Sequence, residues 1–379
     1  MFRQFRNDKA MTQDNSKLKI AVFAGDGIGP EVTAPCVEIL SELTEKLGGP
    51  TLEFEALAAG ADHYVKTGDA LPQASLDRAA EADAILLGAM GDPDVRYPDG
   101  TEIVPQIDLR DYFELYAGVR PVTTQPGMPV PLADPRGQSL DFVIVRESTE
   151  GLFAHRGEAE ETDDSSTDRL TITRAACERL FDFSFELART RQARGGPGIV
   201  TCVDKANVLQ SFGFFRRLFD AHAARYPDIE TRHIYADAAA LALVKQPWVF
   251  DVMVMENLLG DILSDLGAGL MGGLGMAPSA DIGPGHAVFQ PCHGTAPDIA
   301  GSGKANPTAM FLSGAMMLDW LGERIDSPQL REGAEIFRTA VDTAFRDGAL
   351  KPTELGGRDG LAEITDRVRS EMQAALARR

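Results

Sequence analysis

LKIAVFAGDGIGPEV, residues 18–32, reads as a buried strand that runs into a glycine turn and then a helix whose first turn holds Pro30 and Glu31. The helix continues through Val32, Cys36, Ile39, Leu40, Leu43 and Leu47, apolar positions at helical spacing, and Gly48–Gly49 ends it. Short apolar runs follow at residues 84–87, 142–145, 199–203, 234–236 and 252–255, several with helical patterns between them. Strands alternating with helices specify an α/β fold with a largely parallel sheet. Two stretches break the alternation: VRPVTTQPGMPVPLADPRG (119–137) and GAGLMGGLGMAPSADIGPG (267–285). They read as the outward and return crossings between two domains.

A chain of 379 residues that is 44% hydrophobic can bury a sizeable core. Its 37 Lys and Arg against 57 Asp and Glu leave a net charge of −20, which repels phosphate backbones and anionic lipid, so neither nucleic acid nor membrane is an expected partner. No apolar run reaches the length of a membrane span, and the first seventeen residues lack the apolar centre of a secretory signal. The reading is a cytoplasmic protein with a disordered extension over residues 1–17. The four cysteines, Cys36, Cys177, Cys202 and Cys292, are scattered without CxxC spacing and read as buried thiols.

Chemistry concentrates in a few segments. GDILSD (260–265) places Asp261 and Asp265 four residues apart, on one helical face, with no His or thiolate neighbour. Such a pair suits Mg²⁺ or Mn²⁺, although a solvated acidic face has the same pattern. GDGIGP (25–30) lacks GxGxxG spacing, so it is either a tight structural turn or a cofactor contact. HGTAPDIAGSGKANP (293–307) mixes small residues with one acid, Asp298, suited to ribose hydroxyls, or is a surface loop. Arg110, Arg120 and Arg146 stand beside apolar segments and would clamp a small polyanion if they converge. Lys205, just past a strand, is a candidate general base.

Taken together, GDGIGPEV, LRDYFELYAGVRP, VIVREST, VDKANVL, HIYADAAA, NLLGDILSD and HGTAPDIAGSGKANP, in this order, resemble the β-decarboxylating dehydrogenases, the family of isopropylmalate, isocitrate, homoisocitrate, tartrate and D-malate dehydrogenases. The resemblance implies a two-domain isopropylmalate dehydrogenase-like α/β fold with a mixed, largely parallel sheet, not a Rossmann fold. It divides the chain into a cofactor-binding large domain, 18–117 plus 272–379, and a small domain, 118–271, carrying the dimer interface and metal carboxylates. It implies a homodimer with shared active sites: Asp261 and Asp265 bind Mg²⁺ or Mn²⁺ with Asp237 from the partner, and the partner's Lys205 takes the hydroxyl proton. Arg110, Arg120 and Arg146 would hold the substrate carboxylates, and Asn207 would help place substrate or cofactor. His293, Gly294 and Asn306 would hold the adenine end of NAD, with Asp298 selecting NAD because a carboxylate repels a 2′-phosphate. The activity implied is oxidative decarboxylation of a substituted malate.

The chain departs from the family pattern in two places. Phe153 stands where the family has a tyrosine that protonates the product, leaving His155 or water as the donor, a non-decarboxylating 2-hydroxy acid dehydrogenase, or a regulatory subunit of a hetero-oligomer. Before Arg110, Val104 lacks a hydroxyl, and Gln106 and Ile107 replace a double-leucine pocket. Gln106 would present a more polar wall to an isopropyl group, favouring tartrate, D-malate or another substituted malate.

Overall fold

The computed structural model describes residues 16–379. The expected extension lies outside the described residues as far as position 15. Lys17 is already in the first strand, and the Ser16 carbonyl accepts the Thr51 N–H at 2.8 Å.

In chain order the first half comprises β1 (Lys17–Gly25), α1 (Gly29–Leu47), β2 (Thr51–Ala56), α2 (Ala61–Thr67), α3 (Gln73–Ala80), β3 (Ala84–Ala89), α4 (Pro105–Tyr112), β4 (Ala117–Thr123) and β5 (Asp141–Glu147). A two-residue ribbon, β6 (Glu160–Glu161) and β7 (Ser166–Thr167), precedes α5 (Arg174–Gln192), β8 (Ile199–Asp204), α6 (Gln210–Ala223), β9 (Glu230–Tyr235), α7 (Ala236–Lys245), β10 (Val252–Met255) and α8 (Asn257–Met271). β11 (Pro278–Ile282), β12 (Ala287–Pro291), α9 (Thr308–Arg324), α10 (Pro328–Arg346) and α11 (Leu361–Ala377) complete the chain.

Ten strands form one sheet in the order β2-β1-β3-β12-β11-β4-β5-β10-β8-β9. The outer pairings are parallel, whereas β12–β11, β11–β4 and β4–β5 are antiparallel. Three successive reversals mean that the two parallel groups run in opposite directions. The sheet is therefore mixed and largely parallel, as the sequence implies, and its change of direction falls at the centre, where open sheets place ligands.

The opening βα unit is as the sequence reads. Val32, Cys36, Ile39, Leu40 and Leu43 of α1 are fully buried, each large aliphatic one contributing about 1.5–3 kcal/mol. Gly48, at φ 63°, caps the helix. The two stretches expected to cross between domains are partly regular structure: the Pro-rich stretch contains most of β4, and the Gly-rich one contains the end of α8 and β11. Pro121 is tolerated in β4 because β11 pairs only with Ala117–Val119, so at Pro121 one side of the strand needs no N–H donor. The run at 234–236 ends one residue early, since Ala236 begins α7.

GDGIGP is a structural turn. A Cβ on Gly27, at φ 56°, would lie 2.1 Å from the Thr295 carbonyl, and the Ile28 N–H donates to that same carbonyl at 2.8 Å. Asp26 is buried and its carboxylate accepts from the N–H groups of Ala61, Asp62 and Gly91 at 2.8–2.9 Å, tying β1 to the start of α2 and the end of β3. Asp26→Ala strands these donors and is expected to cost about 2–4 kcal/mol, read as a lower urea midpoint with an unchanged slope; an unchanged midpoint would contradict the bracing role.

Candidate active site

Glu256 accepts from the N–H groups of Leu258 and Leu259 at 3.1 and 3.4 Å, which starts α8 immediately after β10. Gly260 then lets the helix settle on the sheet, because a Cβ there would meet Arg146 Cγ at 2.5 Å. This approach brings the Arg146 guanidinium, at the end of β5, onto the Asp261 carboxylate. Asp261 and Asp265, one turn apart, line a cavity of about 180 Å³ together with Gln106, Arg110, Arg120, Arg146, Ser264, Ser279, Gln290, His293 and Gly294. The expected arginine trio and two of the three expected metal carboxylates thus converge.

The arginines are held by groups that the sequence reading missed. Arg110 on α4 and Arg120 on β4 donate to opposite oxygens of Asp281, each at 3.1 Å, and Gln290 donates to Asp281 at 2.6 Å. Arg146 donates to Asn257 Oδ1 at 2.9 and 2.7 Å. Asp281 is fully buried; burial pushes its carboxyl up, but Arg110, Arg120 and Arg146 outweigh that and hold it at about 2. A lone carboxylate within the apolar strand PSADI was the available signal, since a buried charge requires partners.

Arg146 is 3% exposed, and burial with the neighbouring arginines pulls it down to about 10, so it remains charged near neutrality. The Asp265 carboxyl is raised by partial desolvation and by the charge of Asp261. Two carboxylates one turn apart on one face leave a favourable place for a divalent cation. Three arginines balance Asp261, Asp265 and Asp281, so a divalent cation and a dicarboxylate would enter together without leaving net charge. Among the described residues no group of three or more His, Cys, Asp or Glu is arranged to hold a metal.

Asp237 and Lys205 are not in this cavity. They pair at 2.8 Å in a separate hollow lined by Leu152, Leu170, Leu209, Phe212, Leu258 and Leu259. The Lys205 hydrogen bond holds the Asp237 carboxyl below its ordinary range. Around them Val208, Leu209, Leu241, Val244 and Ile262 are 44–67% exposed. Asn207 is exposed beside Lys205 and lines neither cavity.

The 293–307 loop is braced by the Ile28–Thr295 bond, by Glu31 accepting from the Gly301 N–H, and by the Leu361 N–H on the Gly303 carbonyl at 2.9 Å. His293 and Gly294 face the cavity, and His293 Nε2 is buried without a partner while Nδ1 contacts the Gly294 carbonyl at 2.8 Å. Asp298 is exposed on the loop. The Asn306 side chain is occupied internally: Oδ1 accepts from the N–H and hydroxyl of Thr308 at the start of α9, and Nδ2 donates to Glu354 at 2.7 Å. Phe153 packs its ring 5.2 Å from the Arg146 guanidinium carbon, whereas His155 is tied to Glu158 and Thr171 at 3.0 and 2.8 Å and does not line the cavity.

The family model for isocitrate/isopropylmalate dehydrogenases matches residues 19–368, and the chain belongs to that family. It is a dehydrogenase of the β-decarboxylating class. It is 42% identical over 359 residues to the 3-isopropylmalate/3-methylmalate dehydrogenase of Methanocaldococcus jannaschii, covering 93% of this chain and 99% of that protein. A 3-isopropylmalate dehydrogenase of Bacillus cereus is 40% identical, covering 94% and 97%. Among solved structures, the isocitrate dehydrogenase of Methylococcus capsulatus superposes with a TM-score of 0.81 at 35% identity, covering 94% and 99%. A β-decarboxylating dehydrogenase of Thermococcus kodakarensis, in its apo form, gives 0.77 at 35%, covering 95% and 97%.

Asp281 carries a testable pH signature. Its carboxyl titrates lower folded than unfolded, so its stabilisation is complete above the unfolded value of about 4 and is lost as pH falls toward the folded value of about 2. Asp281→Asn is expected to cost about 3–5 kcal/mol at pH 7, with the deficit shrinking between pH about 4 and about 2. Urea unfolding of both proteins across that range checks it; a pH-independent deficit would remove the ionic role.

Proposed function

We propose that the chain is an NAD- and Mg²⁺- or Mn²⁺-dependent enzyme that oxidatively decarboxylates a 2-hydroxy dicarboxylate of the substituted-malate type. The observation that carries this reading is the charge-balanced cavity in which Arg110, Arg120 and Arg146 face Asp261 and Asp265. The division into a cofactor-binding domain, 18–117 plus 272–379, and a smaller domain, 118–271, belongs to the same reading, as does a cytoplasmic location. Among the described residues no helix is long and apolar enough to cross a membrane.

The arginines hold the substrate carboxylates bidentately and fix which carbon faces the nicotinamide. Asp261 and Asp265 would hold the cation, which would supply Lewis acidity toward the substrate oxygens. His293, Gly294 and the braced loop would receive the cofactor, and the exposed Asp298 on that loop would bond ribose and repel a 2′-phosphate. Exposed Leu241 and Val244 of α7 and Ile262 of α8 flank the Lys205–Asp237 pair with an apolar face suited to a second copy. Docked there, the partner would bring its Lys205 and Asp237 to complete the site, with Lys205 taking the hydroxyl proton as hydride leaves the same carbon. Phe153 has no proton to return to the carbon that loses CO₂ and His155 is held elsewhere, so water admitted to the cavity supplies it.

Two inactive variants test the shared site. Lys205→Met and Asp265→Asn should each form folded dimers that make negligible NADH, and subunit exchange between them should restore about a quarter of wild-type activity, since half the dimers then carry one intact site. Continued silence after exchange, with mixed dimers confirmed by mass, would place both residues in one chain's site. Phe153→Tyr offers a proton beside Arg146 and should accelerate CO₂ release relative to NADH formation; an unaltered ratio would show that protonation does not limit decarboxylation.

A further inference from the structure

Besides His293 Nε2, on the 293–307 loop, the cavity is lined by two residues carrying buried polar atoms without hydrogen-bond partners among the described residues: Oε1 of Gln106 and Oγ of Ser279. Their positions are specific. Gln106 and Arg110 are four residues apart on α4, so the amide lies one turn along the face that carries the guanidinium. Ser279 is two residues from Asp281 on β11, hence on the strand face that anchors Arg110 and Arg120. Ser279 is 1% exposed, so its hydroxyl is buried at the cavity wall. Of α4, only Gln106 and Arg110 line the cavity; Ile107 and the preceding Val104 do not, so the helix offers an alkyl substituent no apolar side chain.

We propose that Gln106 and Ser279 read a hydroxyl on the carbon next to the one oxidised, making the preferred substrate a 2,3-dihydroxydicarboxylate. This deepens the dehydrogenase reading above and rests on it. A hydroxyl both donates and accepts: its hydrogen satisfies the amide oxygen, and its lone pairs accept from the Ser279 hydroxyl. An isopropyl or methyl group satisfies neither atom, and a carboxylate presents only acceptors to an acceptor. Two orphaned polar atoms lining the cavity penalise an alkyl substituent far more than one methylene favours it, because hydrogen-bonding sites reject analogues lacking the hydroxyl much more strongly than apolar pockets discriminate by size.

The test compares kcat/KM of the purified protein, with Mn²⁺ and NAD⁺, for the three stereoisomers of tartrate, for both malate enantiomers and for 3-isopropylmalate. The best tartrate isomer is expected to exceed 3-isopropylmalate by about a hundredfold or more and malate by about tenfold. Gln106→Leu should cut the tartrate to 3-isopropylmalate ratio by at least about tenfold, and Ser279→Ala should shift it the same way, so that either variant suffices if the other folds poorly. A wild-type preference for 3-isopropylmalate, or a ratio unchanged in both variants, overturns the hydroxyl reading while leaving the dehydrogenase intact. Absence of NADH from every substrate overturns the dehydrogenase reading itself, and this inference with it.

Discussion

Asp281 is the charge on which the centre of the molecule depends. It sits in a strand between apolar neighbours, fully buried, and accepts from Arg110 on a helix, Arg120 on the adjacent strand and Gln290 on the strand at its other side. An isolated carboxylate in that position would be prohibitively costly, so all three donors must arrive together. Their arrival fixes α4, β4 and β12 relative to β11, and two guanidinium groups are then presented to the cavity at defined positions. The third, Arg146, is set independently by Asn257 and Asp261.

The sheet explains why these groups can meet. Two parallel sets of strands running in opposite directions are joined by β11, β4 and β5, which pair antiparallel. Side chains from both sets and from α8 converge at that junction. Glycine permits the final approach, since any side chain at Gly260 would displace Arg146. The cavity is electrostatically balanced by its own side chains yet carries unmet local demands: the charge of Asp261 and partial burial raise the Asp265 carboxyl, Arg146 is charged and buried, and Gln106 and Ser279 have unused polar atoms. Those demands describe the complementary ligand more closely than the fold does, because members of one fold share the scaffold and differ in the few atoms that face the substrate.

Much of this is legible in the linear chain. The βα opening, the strands at residues 84–87, 142–145 and 252–255, the i,i+4 carboxylates of α8 and the three arginines all follow from local periodicity and chemical type. Asp281 and Asn257 stand out less, because their partners are arginines 171 and 111 residues away; the apolar neighbours of Asp281 mark a buried charge, but nothing local tells which groups it anchors. GDGIGP illustrates the reverse case. Its glycines suit a ligand equally well in one dimension, and only the folded chain shows that the carbonyls of Ala89, Thr295 and Ala24 leave no room for a side chain at Gly25, Gly27 and Gly29.

The sequence by itself determined the α/β class, the chemical inventory of the site and the helical face that carries Asp261 and Asp265, since these depend on residue type and on spacing within one element. The tertiary structure alone decided that the three arginines converge, that Asp281 holds two of them, that the Asn306 amide is taken up by Thr308 and Glu354, and that Lys205 and Asp237 pair in a hollow apart from the arginines. The physical reason is that periodicity encodes which way a side chain faces on its own element, whereas burial, charge pairing and unsatisfied hydrogen bonds arise between elements and exist only once the chain has folded.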